Sequence, residues 1–267
     1  MNLMRVYAIF LRQIILLRHN WTRFFNIFIW ITVDIVLWGF ITRYLNSVSH
    51  SGFSFIPVLL GAIILWDFLV RVQQGVTLAF FEDIWSQNFL NYFASPLTMG
   101  EYAGGLIISS IATTSAGFAA MLTVAGLVFG YNLFTLGLNL LLFLAVLFVF
   151  GLAMGLFTSA IVLRFGPSAE WIAWPIPFII GPFAGVFYPV STLPPAFQLL
   201  AKILPPAYVF EGMRQVLAEK PLPLSELAVG LALSALYLLL AYIFFNYVYR
   251  LVIRSGLITR FSAESTS

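Results

Sequence analysis

Cysteine is absent from the 267 residues, which excludes a disulfide scaffold, a thiolate metal site and a cysteine nucleophile. Charge is almost as scarce. Asp, Glu, Lys and Arg make up 9% of the chain, against roughly 25% in an average soluble domain, and so few charges cannot cover a soluble globule of this size. A soluble enzyme and a disordered tail are excluded together. The net charge of +3 is too small and too scattered for a nucleic-acid footprint, so no nucleic-acid partner is expected. The two histidines, His19 and His50, lie outside the longest apolar runs, which argues against a zinc or haem site. Neither lysine, Lys202 or Lys220, follows a glycine-rich turn, so the chain has no Walker-type phosphate loop. It also lacks a Gly-x-Ser-x-Gly elbow and a His-Glu-x-x-His pair.

What the sequence has is apolar residues, at 61%. A helix crossing the hydrocarbon needs about 20 of them in a row. Runs at 24–45, 53–74, 101–129, 133–163 and 224–249 qualify, and a sixth, 168–188, is long enough but interrupted by prolines. The runs are continuous rather than alternating, so helices are expected and not barrel strands. The expectation is an all-α membrane protein, one transmembrane domain over 1–267 with six spans in the lipid bilayer. Counting Lys and Arg in the connections puts Arg5, Arg12, Arg18, Arg23, Arg71, Arg164, Arg250, Arg254 and Arg260 on one side and Arg43, Lys202, Arg214 and Lys220 on the other. Nine against four predicts that both termini are cytoplasmic.

Three segments outside the regular spans stand out. Residues 1–22 carry Arg5, Arg12 and His19 at seven-residue spacing, with Leu3, Val6, Phe10, Ile14 and Leu17 on the other side. That pattern predicts an amphipathic interfacial helix rather than a secretory signal. Residues 80–95 read FFEDIWSQNFLNYFAS, an acidic start followed by aromatics at helical spacing. This predicts a short cytoplasmic helix ended by Ser95-Pro96. Eleven of the thirteen prolines fall in 166–223, a density no lipid-facing helix tolerates. Residues 190–220 therefore predict an apolar re-entrant helical hairpin.

Charges inside spans are costly and point to function by default. Asp34 lies near the middle of the first span, and Asp67 and Arg71 lie four apart at the cytoplasmic end of the second. The Asp67/Arg71 order favours a helical ion pair. Asp34 either lines a pathway or bonds another span. Glu211 and Arg214 sit three apart in the hairpin. They either neutralise each other or face an exit path. Glycine pairs at four-residue spacing, Gly100/Gly104, Gly126/Gly130, Gly151/Gly155 and Gly181/Gly185, permit close helix packing.

These features, in this order, resemble the membrane subunit of a type-2 ABC exporter: a basic interfacial helix, the segment FEDIWSQNFLNYFASPL between spans two and three, six spans, and GVFYPVSTLPP…LPPAYVFEGMR before the last span. The resemblance implies a permease without catalytic residues of its own. It implies a homodimer paired with two copies of a separate ABC ATPase subunit, which holds ATP and magnesium, in the bacterial inner membrane. It further implies that 80–95 is the coupling helix, with Glu82, Asp83, Trp85, Gln87 and Asn88 as contacts to the ATPase. Gly185, Pro189, Leu193, Pro194, Pro205, Glu211 and Arg214 would shape an outer gate. Exporters with a fused ATPase domain are longer, so none is expected here. The expected cargo is a polysaccharide, a lipid-linked molecule or an amphiphilic drug-like compound. Trp30, Trp38 and Trp66 beside Asp34 either line its pathway or serve as anchors and packing. The rival readings are an ion-coupled secondary transporter or channel using Asp34 and Asp67, and an intramembrane enzyme, for which no nucleophile–base set is found.

Overall fold

The computed structural model describes residues 2–19, 21–48, 55–86 and 95–255. Among these, all regular structure is helical. Helix α1 (Leu3–His19) precedes the long helices α2 (Trp21–Val48), α3 (Phe55–Trp85), α4 (Met99–Phe129) and α5 (Asn139–Phe165). A broken stretch follows: a 3-10 turn at Pro167–Ala173 and the six-residue helix α6 (Pro175–Ile180). Then come α7 (Pro195–Ala201), α8 (Pro205–Leu217) and the long helix α9 (Leu224–Arg254). Among the described residues, five helices, α2, α3, α4, α5 and α9, are long and apolar enough to cross a membrane.

Local chemistry explains the ends. Thr98 caps α4: its side chain accepts from the Glu101 N–H at 3.3 Å while Glu101 Oε2 accepts from the Thr98 N–H at 3.0 Å, a reciprocal capping box. Gly130 closes α4 in the left-handed conformation at φ 64° and donates to the Gly126 carbonyl. Gly166, at φ 93°, ends α5, and Pro167, Pro175, Pro177 and Pro182 then prevent a continuous helix.

The buried centre is formed by α3 and α5. Helix α9 packs along α5, α4 and α2 pack on α3, and α1 lies across α4. Lipid tails supply no hydrophobic drive between helices, so close packing does the holding. A Cβ on Gly151 would come within 2.8 Å of Val72 Cβ, and one on Gly155 within 2.7 Å of Val76 Cβ and 3.0 Å of the Gln73 carbonyl. This pair is where α5 crosses α3. Gly155→Ala is expected to cost ~1–3 kcal/mol through overpacking. Gly126→Ala, whose Cβ would meet nothing closer than the Tyr131 carbonyl at 3.8 Å, should cost nothing. Thermal unfolding in detergent separates the two, and equal losses would contradict the crossing.

Several boundaries differ from the sequence expectation. The second span continues past residue 74 to Trp85. The polar run Gln73-Gln74-Gly75 looks like a span end, but its groups find partners inside the bundle. Gln73 Nε2 reaches Thr77 Oγ1 and the Ala173 carbonyl, and Ser110 of α4 seats against Gly75 and donates to the Val72 carbonyl. The break expected between the span end at 74 and a separate helix at 80–95 is absent up to Trp85, where α3 ends, and Gln87 and Asn88 lie outside the described residues. The 133–163 run begins with a 3-10 turn, Leu133–Leu136, before α5 starts. The 168–188 run is no continuous helix, whereas 190–220 does fold into two short helices.

Candidate functional site

One wall of α3 is a stripe at helical spacing: Ile63, Trp66, Asp67, Val70, Arg71, Gln74, Leu78, Glu82 and Trp85. Facing it, α2 presents Trp30, Asp34 and Trp38, each four residues apart and so on one side. The broken stretch closes the third wall with Trp174, Phe178 and Phe187. Together they enclose a cavity of about 1160 Å³. Trp38 stacks on Phe187 with ring centroids 4.9 Å apart, and Trp66 fits beside Gly181, where a Cβ would meet its ring at 3.2 Å. At the α1 end, Trp85 Nε1 donates to Glu170 Oε1 at 2.7 Å, tying the end of α3 to the start of the broken stretch.

The structure thus brings Trp30, Asp34, Trp38 and Trp66 to one cavity. It adds Arg71, Glu82, Trp85 and Trp174, which the sequence reading did not place there. For Glu82 and Trp85 the signal was the 3–4 spacing that runs on from Ile63, hidden by ending the span at 74. Asp67 and Arg71 lie in the middle of α3, not at its end, and their expected i,i+4 ion pair does not form: Asp67 Oδ2 is buried without a hydrogen-bond partner. Arg71 is therefore not a loop charge and drops out of the orientation count. Asp34, Asp67 and Arg71 are close enough for each charge to act on the others.

Beside the cavity, α1 turns Arg5 and Arg12 toward the bundle. Asp83 is fully buried and accepts from Arg12 and, at 2.7 Å, from the Tyr102 hydroxyl of α4. Two turns earlier, Arg5 reaches Glu101 Oε2 at 3.3 Å and the Pro96 carbonyl at 2.6 Å, and Glu101 also accepts from the Asn2 N–H. The outward face of α1 is apolar, with Met4, Tyr7, Leu11 and Ile15 exposed. Of the expected basic face, Arg5 and Arg12 are bonded to the bundle, and Asp83, expected as a coupling contact, is fully buried. Of the expected coupling residues, Glu82 lines the cavity and Trp85 is exposed.

At the opposite end, α8 clasps the turn that follows the broken stretch. Arg214 Nη2 donates to Glu211 Oε1 at 3.0 Å and to the Gly185 carbonyl at 2.7 Å, and Nη1 donates to the Val186 carbonyl. Glu211 Oε1 accepts from the Val190 N–H at 2.6 Å. Gly185, Glu211 and Arg214 thus meet in one cluster, and Pro189 directly precedes the Val190 that Glu211 holds. Leu193 and Pro194 lead into α7, where Gln198 donates to the Leu193 carbonyl at 2.7 Å, and Pro205 opens α8. Because each charged group also serves backbone, exchanging them loses both sets of bonds. The charge-swapped Glu211→Arg/Arg214→Glu variant should unfold no later than Arg214→Gln, and recovery in the swap would reduce the cluster to a simple ion pair.

Among the described residues, no group of His, Asp and Glu is arranged to hold a metal. A long helical bundle around a large lined cavity is a transporter's geometry, and the family model for the ABC-2 type transporter matches residues 4–218. The chain belongs to the ABC-2 type transporter family. No curated protein matches it. The ABC-2 match runs from the first turn of α1 to the residue after α8. It therefore contains the arginine clamp, the cavity and the hairpin. This makes the chain the membrane component of an ABC transporter.

Proposed function

We propose that this ABC-2 permease is the membrane half of an exporter driven by a separate ATPase subunit. The observation that carries the reading is the family match across the whole cavity-bearing region. The complex is two permeases related by a two-fold axis, the commonest closed symmetry, with two ATPase subunits that hold ATP and magnesium. It resides in a bacterial inner membrane with both termini cytoplasmic and the α7–α8 hairpin outside. The broken stretch 168–188 supplies the sixth crossing. Its irregular backbone is tolerable at membrane depth because one side lines the cavity. The cargo is a polysaccharide, a lipid-linked molecule or an amphiphilic drug-like compound.

In this mechanism Trp85 and the segment beyond it, including Gln87 and Asn88, contact the ATPase. Binding of ATP draws the ATPase subunits together and moves the end of α3. Because Asp83 ties that end to α1 and α4, the three move as one unit. The Trp85–Glu170 bond at the cavity mouth is remade, and the cavity opens toward the hairpin. A population shift of this kind needs the ATP-bound partner to prefer one permease state. The hairpin clasp at Gly185, Glu211 and Arg214 holds the outer end until then, with Pro189, Leu193, Pro194 and Pro205 fixing its turns. An ion-coupled route through Asp34 and Asp67 is not favoured by the family.

Co-expression with a P-loop ATPase should yield a two-plus-two particle by mass. In this cysteine-free chain, Ser191→Cys should react with an impermeant thiol reagent in intact cells and Ser255→Cys should not. A monomeric particle that transports without an ATPase, or the reverse labelling, would overturn the reading.

A further inference from the structure

Five of the chain's seven tryptophans, Trp30, Trp38, Trp66, Trp85 and Trp174, line the single cavity described above. At about 1160 Å³ it exceeds the ~300–1,000 Å³ of ordinary small-molecule pockets. Among the described lining residues, two carboxylates, Asp34 and Asp67, share one guanidinium, Arg71, at the middle of α3. The one guanidinium does not settle the account, because Asp67 and Arg71 form no ion pair and Asp67 Oδ2 stays buried without a hydrogen-bond partner. A carboxylate oxygen left so at the depth of a membrane is costly, and it marks a place where a ligand group belongs.

The lining discriminates among ligand classes. An anionic sugar or a lipid phosphate would meet the carboxylates of Asp34 and Asp67. A neutral oligosaccharide needs many hydrogen-bond partners, yet among the described residues the wall offers, beyond the tryptophan N–H groups, the neutral polar side chains of Gln74 and Ser86. An organic cation fits both features. Tryptophan has the strongest cation-attracting face of the aromatic side chains, and that attraction grows when water is excluded. Resting on the export reading, we propose that the cavity binds an amphiphilic organic cation. Its apolar body lies among Trp30, Trp38, Trp66 and Trp174, and its charge sits between Asp34 and Asp67.

The test uses the full chain in detergent and a matched pair of probes of one shape and opposite charge, tetraphenylphosphonium and tetraphenylborate. Equilibrium dialysis against protein-free micelles reads saturable binding. The expected result is saturable binding of the cation but not the anion, with affinity falling at least tenfold in Asp67→Asn and in Asp34→Asn at unchanged unfolding temperature. Should one variant fail to fold, the other variant and the wild-type cation–anion contrast still decide. Equal binding of both ions would reduce the cavity to an apolar groove and overturn the proposal. So would no saturable binding of the cation, or saturable binding of maltoheptaose in its place. The export reading fails separately: cation binding with no effect on ATP hydrolysis by the complex keeps the ligand class and sinks export. Permease-dependent hydrolysis without cation binding does the reverse.

Discussion

Arg12→Gln should lower the stability of the folded chain by ~3–5 kcal/mol, the range for stripping one partner from a buried ion pair. Asp83 has no exposed side-chain surface, whereas Arg12 is 25% exposed, so the loss falls on the carboxylate left behind. The Tyr102 hydroxyl still donates to it, but a neutral donor does not replace a guanidinium. Removing the charge as well should restore most of the loss. The double variant Arg12→Gln/Asp83→Asn is therefore expected to be more stable than Arg12→Gln alone. A double-variant cycle by thermal unfolding in detergent reads the coupling. Strict additivity, or a loss under about 1 kcal/mol for Arg12→Gln, lying in the range of exposed pairs, would show that the clamp contributes little.

The second large effect is expected at the opposite end. Gly185 sits at φ 61°, and a Cβ there would meet Val190 Cγ2 at 2.9 Å and the Tyr188 carbonyl at 3.0 Å. Its own carbonyl accepts from Arg214 at 2.7 Å, so the turn cannot relax without releasing α8. Gly185→Val combines a left-handed penalty of ~1–2 kcal/mol with overpacking of ~1–3 kcal/mol. A loss of roughly 2–5 kcal/mol follows. Gly130 is the control. It is also left-handed, at φ 64° and ψ 19°, but nothing lies within 4 Å of an added Cβ, so Gly130→Ala should show only the backbone penalty. Equal losses at the two positions would mean that the Gly185 turn is not held by its neighbours.

The class of fold was legible because hydropathy alone marks helices that cross lipid. Helices α2, α4 and α9 begin and end within a few residues of the apolar runs. The second span was not, because length was read from polarity. Gln73, Gln74 and Thr77 are polar, but Gln73 and Thr77 bond within the bundle. Polar residues satisfied by protein do not end a helix. That one misplacement hid both the cavity stripe from Ile63 to Trp85 and the mid-helix position of Asp67 and Arg71. The Glu211/Arg214 contact was visible in their spacing. Their backbone partners at Gly185, Val186 and Val190 lie more than 20 residues away, and no local pattern announces them. The same holds for Arg12 and Asp83, 71 residues apart.

The central claim, that ATP on a partner subunit drives this permease, is tested most directly at the cavity mouth. Trp85 and Glu170 are hydrogen-bonded there, and Ser168 lies exposed two residues from Glu170. A bimane fluorophore on Ser168→Cys, the sole cysteine, is quenched by a tryptophan only at contact range. In the complex with a hydrolysis-deficient ATPase, the account predicts that adding ATP and magnesium changes the quenching and that Trp85→Phe abolishes the change. Quenching that is identical with and without ATP, in a complex shown to bind ATP, would contradict it.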